Sequence, residues 1–194
     1  MKTTNHKKFV NPNPIQRALI GNFQRRFLGV LSSIQPQSVL EMGCGEGFLL
    51  TSIKKQFPNI PLLGQDNLDV ALTAGKEIFP DLDLQHGDIY HINQPDHSWD
   101  VVIASEVLEH LDHPDAAIKE MKRVAKRYLL LSVPHEPLFR GSNLLRGRHL
   151  TRLGNHPEHI NLWTRASFGK FVGQFAHVER LTGSFPWTIL LARV

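Results

Sequence analysis

The sequence has one cysteine, Cys44, in 194 residues. A single thiol excludes an intramolecular disulfide and a cysteine-based zinc site, and it fits a reducing, cytoplasmic setting. Long apolar runs are also missing. No stretch of 18 apolar residues exists, so no segment reads as membrane-spanning. The basic start, MKTTNHKKFVNPNP, lacks the apolar core of a secretory leader. Excess charge is small: the net value of +4 mildly favours anionic partners and does not imply nucleic acid. Internal repeats and low-complexity tracts are absent. What remains is 41% hydrophobic and 21% charged, the composition of one globular domain over residues 1–194 with a sizeable core.

Apolar periodicity gives the layout. Leu19, Ile20, Phe23, Phe27, Val30, Leu31 and Ile34 recur at helical spacing, which predicts a helix over Ile15–Ser33 and a helical cover over residues 1–35. Strands are then expected at Ser38–Met42, Ile60–Gln65, Leu82–His86, Asp100–Ala104 and Tyr128–Val133. Helices are expected at Gly47–Phe57, Asp69–Phe79 and Asp115–Lys126. This alternation predicts an α/β fold, Rossmann-like and doubly wound, with helices on both faces of a mostly parallel sheet. After the helix expected at Arg165–Phe175, His177–Leu181 and Trp187–Arg193 complete seven strands, the last of them antiparallel. Residues 134–164 break the rhythm and read as a substrate loop or lid.

The densest signal is Val39-Leu40-Glu41-Met42-Gly43-Cys44-Gly45-Glu46-Gly47. An apolar strand ends beside an acid and turns on three alternating glycines, which lets backbone approach a ligand closely. The spacing is G-x-G-x-G, whereas a dinucleotide fingerprint needs G-x-G-x-x-G. Glu41 and Glu46 flank the turn and disfavour a phosphate dianion. A cationic or zwitterionic ligand suits it better. S-adenosylmethionine carries an ammonium and a sulfonium and has no phosphate.

Three further segments follow in order: Leu63-Gly64-Gln65-Asp66-Asn67, Gln85-His86-Gly87-Asp88-Ile89, and Trp99-Asp100-Val101-Val102-Ile103-Ala104-Ser105-Glu106-Val107-Leu108-Glu109-His110-Leu111. With the glycine turn, they resemble the class I S-adenosylmethionine-dependent methyltransferases over Ser38–Val133. The resemblance implies a cofactor site of Glu41, Gly43, Cys44, Gly45, Gly47, Asp66, Asn67, Asp88, Ile89 and Ser105. Asp66 is expected to take the ribose hydroxyls. Asp88 and the Ile89 amide are expected at the adenine, and the Ser105 backbone near the methyl donor. Cys44 reads as a small loop residue, since no partner base is evident.

On the acceptor side, Glu106, Glu109 and His110 stand at i, i+3 and i+4, one face of a helix if a helix starts there. With His159 they form a candidate set for Mg²⁺ or Mn²⁺. The Glu-x-x-Glu-His pattern is similar to that of ubiquinone-pathway O-methyltransferases and of small-RNA 2′-O-methyltransferases. It also occurs in members of the wider family with no known metal. His110 and His135 are candidate bases for an O-methylation. Arg140, Arg148 and Arg152 lie in a stretch with no acid and are candidate contacts to an anionic small molecule, sugar or lipid-linked acceptor. RNA is the alternative acceptor, disfavoured by few aromatics in that segment and by no added RNA-binding module. A non-catalytic nucleotide-binding protein is the alternative of another class.

Overall fold

A computed structural model describes residues 12–136 and 160–194. Helix α1 (Pro14–Ser33) starts at Asn13, whose Oδ1 accepts from the Ile15 and Gln16 amides, with a proline in the first turn. Its stripe of Ile20, Phe23, Phe27, Val30 and Leu31 is buried. Next come β1 (Val39–Met42), α2 (Phe48–Gln56), β2 (Leu62–Asp66), α3 (Asp69–Ile78), β3 (Leu84–His86) and β4 (Trp99–Ser105). A single 3₁₀ turn (Leu108–His110) leads to α4 (Pro114–Val124), β5 (Ala125–Pro134), α5 (Arg165–Val172), β6 (His177–Ser184) and β7 (Trp187–Arg193).

The seven strands form one sheet in the order β3-β2-β1-β4-β5-β7-β6. β7 runs antiparallel to both neighbours, and the pairs from β3 to β5 are parallel. The expected mostly parallel sheet with an antiparallel last strand is present. Val39, Ile103, Leu130 and Ile189 face α1 and α2, while Leu40, Val102, Leu129 and Leu190 face α4 and α5. Both faces are covered, so the central strands are buried on both sides rather than alternating between core and solvent. The chain leaves β1 toward β2 and β3, then returns beside β1 as β4. At that switch point the connections part, and in parallel sheets of this kind the crevice that takes a ligand lies at the carboxyl ends of the strands.

Several expected bounds needed correction: the strand expected from Ile60 starts at Leu62, the helix expected to reach Phe175 ends at Val172, and the strand expected to end at Leu181 runs to Ser184. The helix expected to reach Lys126 stops at Val124, because Ala125 is already extended (φ −73°, ψ 138°) and pairs with Trp99 in a ten-residue β5. The strand expected from Leu82 begins at Leu84. Most of the expected lid, residues 137–159, lies outside the described residues.

The amino ends of the strands are closed by an ionic clasp. Arg127 donates from Nε to Asp100 Oδ1 (2.5 Å) and from Nη2 to Oδ2 (2.6 Å), and the Gln37 amide donates to Oδ2 (2.8 Å). Burial works against ionisation of Asp100, but these bonds outweigh it and its pKa is lowered. The clasp therefore stabilises above the ordinary carboxyl range and is lost as pH falls through the lowered value. Arg127→Met is expected to cost about 2 kcal/mol in urea denaturation at pH 7. The deficit should shrink as pH falls through the lowered value, where the wild-type clasp is itself protonated.

Candidate functional site

The turn after β1 is built on Gly43, Gly45 and Gly47, with φ of +72°, +55° and +83°. These left-handed values are readily adopted only by glycine. Space matters as well: a Cβ on Gly43 would stand 2.4 Å from Val107 Cγ2. The Gly43 and Cys44 amides donate to Gln65 O (2.7 and 3.1 Å), which ties the turn to β2. Asp66 then fixes it. Its Oδ2 accepts from the Gly45 amide (2.7 Å), and its Oδ1 accepts from the Leu68 amide (2.9 Å). One carboxylate thus holds the glycine turn and the start of α3. This hold on the turn is additional to the ribose role expected of Asp66. Asn67 follows it and is exposed.

The site is acidic on this side. Glu41 is buried near the end of β1, beside Gly64 of β2 and Ile103 of β4, and its Oε2 is buried with no hydrogen-bond partner. Burial, and then the nearby Asp66 carboxylate, push its pKa up to about 8. Burial raises the Cys44 thiol strongly, and the Glu41 and Asp66 carboxylates raise it further. It stays a thiol and is no nucleophile, as the sequence suggested. Glu46 is fully buried, and its backbone carbonyl closes on α3: a Cβ on Gly75 would lie 2.7 Å from Glu46 O. Beyond β3, Asp88 accepts from the Tyr90 amide (2.8 Å) and pairs with His91 (3.3 Å), which lowers its pKa and keeps it ionised beside half-buried Ile89.

The acceptor side begins at β4. Ser105 Oγ and Ser132 Oγ share a hydrogen bond (2.9 Å) across β4 and β5. Glu106 is left-handed (φ +58°), and the 3₁₀ turn spans only Leu108–His110. The expectation that Glu106, Glu109 and His110 share one helical face is therefore corrected, because Glu106 stands outside the helix in a conformation that redirects the chain. Glu109 is buried and His110 half-buried. Among the described residues no three His, Cys, Asp or Glu side chains gather as a metal site, and His159 lies outside those residues. Arg140, Arg148 and Arg152 lie outside them as well.

Several residues that close the site carried no sequence motif. The Ile160 and Asn161 amides donate to Glu109 O (2.9 and 3.0 Å), and Asn161 Nδ2 donates to Leu108 O and Leu111 O (3.2 and 2.7 Å). The returning chain is thereby stapled over the 3₁₀ turn. The Glu136 amide donates to Trp163 O (2.9 Å), and Trp163 stacks on Phe171 at 5.5 Å. His135 is half-buried; burial, and next the charge of Arg165, lower its pKa. A depression of about 360 Å³ lined by Ser33, Arg127, Tyr128 and Arg180 lies at the opposite end of the sheet, apart from this site.

Residues 15–175 match the family described as a methyltransferase domain. An uncharacterised methyltransferase of Schizosaccharomyces pombe is 34% identical over 99 residues, 45% of this chain and 36% of that protein. A malonyl-[acyl-carrier protein] O-methyltransferase of Haemophilus influenzae is 27% identical over 152 residues, covering 77% of this chain and 56% of its own. The chain thus spans about a third to just over half of the curated relatives it matches first. Among solved structures, magnesium protoporphyrin IX methyltransferase from Synechocystis, determined with bound SAH, superposes with a TM-score of 0.71 at 18% identity, over 99% of this chain and 95% of its own. The methyltransferase domain of bacterial CtHen1 superposes with a TM-score of 0.73 at 23% identity, over 91% of this chain and all of its own. At these identities the two structures show a shared fold.

The buried carboxyl of Glu41 gives a pH signature. Between the ordinary glutamate value, 4.5, and about 8, the folded state holds a proton that the unfolded state has lost. Stability therefore falls as pH rises through that window. Glu41→Gln is expected to flatten the fall and to be the more stable protein at pH 8, by up to a few kcal/mol. Urea denaturation at pH 5 and pH 8 measures this, and equal pH slopes in the two proteins would contradict it.

Proposed function

The chain belongs to the class I S-adenosylmethionine-dependent methyltransferases, and from that membership we propose that it methylates a hydroxyl of a small anionic acceptor. The observation that carries the donor half of this reading is the acidic crevice at the β1–β4 switch. A buried carboxyl with an unsatisfied oxygen, Glu41 Oε2, stands beside a glycine turn clamped by Asp66. Such a pocket suits a positively charged ligand and repels phosphate. The donor supplies an electrophilic methyl on a sulfonium. In this reading Glu41 faces the ligand's ammonium directly or through water, and the glycine turn lies along its amino-acid portion. Asp66 and Asn67 meet the ribose, Asp88 and Ile89 meet the adenine, and the Ser105 backbone lies beside the methyl.

Transfer is an in-line displacement in which an oxygen–carbon bond forms as the carbon–sulfur bond breaks. The protein's main contribution is alignment. The hydroxyl proton needs an acceptor. His135, half-buried just after β5 with its amide bonded to Pro186 O, is one candidate. His110, on the 3₁₀ turn after β4, is the second. No step is routed through a metal, because among the described residues no three His, Cys, Asp or Glu side chains gather as a metal site. The malonyl-[acyl-carrier protein] and ubiquinone O-methyltransferases among the relatives support oxygen as the methylated atom. Residues 134–164 remain the proposed acceptor loop.

Asp66→Ala removes a charged acceptor and unties the turn, so its affinity for S-adenosylhomocysteine should fall by about 1.5–3 kcal/mol. Calorimetry measures this, and an unchanged affinity would reject the assignment. A thermal-shift comparison tests the whole reading: stabilisation by S-adenosylhomocysteine and not by NAD is expected, and the reverse would sink methyl transfer. Turnover is expected to be indifferent to EDTA and to added Mn²⁺; metal-dependent turnover would restore the Glu106, Glu109, His110 and His159 set.

A further inference from the structure

The carboxyl edge of the sheet is polarised. Its β1–β3 end carries the acidic side chains Glu41, Asp66 and Asp88, and its far end carries two guanidinium groups. Arg26 reaches from α1 and donates from Nη1 to Gly183 O (3.1 Å). Arg165, the first residue of α5, comes from the opposite face and lies on the same glycine. A Cβ on Gly183 would stand 2.0 Å from Arg165 Nη2 and 3.0 Å from its Cζ. The missing side chain at Gly183 is therefore what admits the guanidinium. Both arginines are exposed, and among the described residues neither has a carboxylate partner. Arg123, Arg127 and Arg193, by contrast, are all paired with acids. Two like charges are thus held at one backbone position, and among the described residues no carboxylate pairs with either.

The geometry points to Arg26 and Arg165, meeting at Gly183, as the seat for a dianionic group, phosphate or dicarboxylate, at the far end of the methyl acceptor. This rests on the methyl-transfer reading for the location of the reacting hydroxyl. The seat is at the carboxyl end of β6, three strands from β4 in the order β4-β5-β7-β6. At about 4.8 Å per strand, that puts roughly 14 Å between the anion and the end of β4. The acceptor is therefore elongated, with its hydroxyl and its anionic group at opposite ends. The line between them passes His135, whose amide is bonded to Pro186 O, and Phe185, which is 50% exposed at the tip of the β6–β7 hairpin. A cationic donor and an anionic acceptor are thereby sorted to opposite ends of one edge before they meet at β4. Paired guanidinium forks suit a group with several acceptor oxygens.

The test is calorimetric titration of the full chain with inorganic pyrophosphate and, separately, with malonate, at constant ionic strength. S-adenosylhomocysteine affinity is measured in parallel. One saturable anion site is expected, and whichever of the two anions binds more tightly identifies the chemical source. Arg26→Gln and Arg165→Gln should each weaken it at least 5-fold. Gly183→Ala changes no charge but occupies the space under Arg165, and it should weaken anion binding as well. All three variants should keep wild-type affinity for S-adenosylhomocysteine. A chain that binds S-adenosylhomocysteine but has no saturable anion site, or one unmoved by the three substitutions, overturns the seat alone. A chain that binds the anion but not S-adenosylhomocysteine overturns the acceptor assignment together with the methyl-transfer reading.

Discussion

The site depends on the hydrogen bond from the Gly45 amide to Asp66 Oδ2, 2.7 Å long. Three left-handed glycines in five residues would otherwise leave the turn after β1 loose, since glycine loses the most conformational freedom on ordering. Asp66 supplies the constraint from the next strand. With Gln65 O accepting from Gly43 and Cys44, it fixes the turn to β2 and sets the direction in which α2 departs. The same carboxylate anchors the Leu68 amide at the head of α3. A single side chain thus coordinates two strand–helix transitions, and the crevice between them inherits its shape.

Against that constraint stands an electrostatic cost. Glu41 is buried, near a second carboxylate, with one oxygen unsatisfied. A sequence selected for stability alone would place an apolar residue there, because burying a charge without a partner is expensive. The protein tolerates the carboxyl by keeping it protonated over much of the neutral range. A bound cation would complete the arrangement and return the group to its ionised form. At the other end of the sheet the Asp100–Arg127 clasp shows the opposite solution, a carboxylate with its full complement of donors.

The fold was largely legible, and the reason is local. The strand at 99–105 announces itself as an apolar run after a Trp-Asp pair, and the stripe of α1 repeats at helical spacing over twenty residues. The glycine turn was legible because its backbone demands a particular residue type. Other parts were hidden for equally physical reasons. Glu106 adopts a left-handed backbone that no non-glycine residue advertises, so a helix-like spacing was read where only one 3₁₀ turn exists. Asn161 gives no pattern because its partners, the carbonyls of Leu108 and Leu111, are about fifty positions away. The meeting of Arg26 and Arg165 at Gly183 is invisible in one dimension, since three elements must pack before it exists. The end of α4 was misplaced by two residues because Ala125 and Lys126 are good helix formers claimed by the sheet.

The strand order has a kinetic meaning. The carboxyl edge draws its residues from positions 41, 66, 105, 135 and 183, and neighbouring strands β1 and β4 are separated by some sixty residues of chain. Contacts between distant segments must first overcome loop-closure entropy, and long-range parallel pairing is intrinsically slow. The crevice is therefore among the last features of the molecule to assemble. A partly folded chain would present its helices and hairpin well before it could hold a ligand at the edge. Ligand capture during refolding would time the completion of the sheet, separately from the collapse of the core.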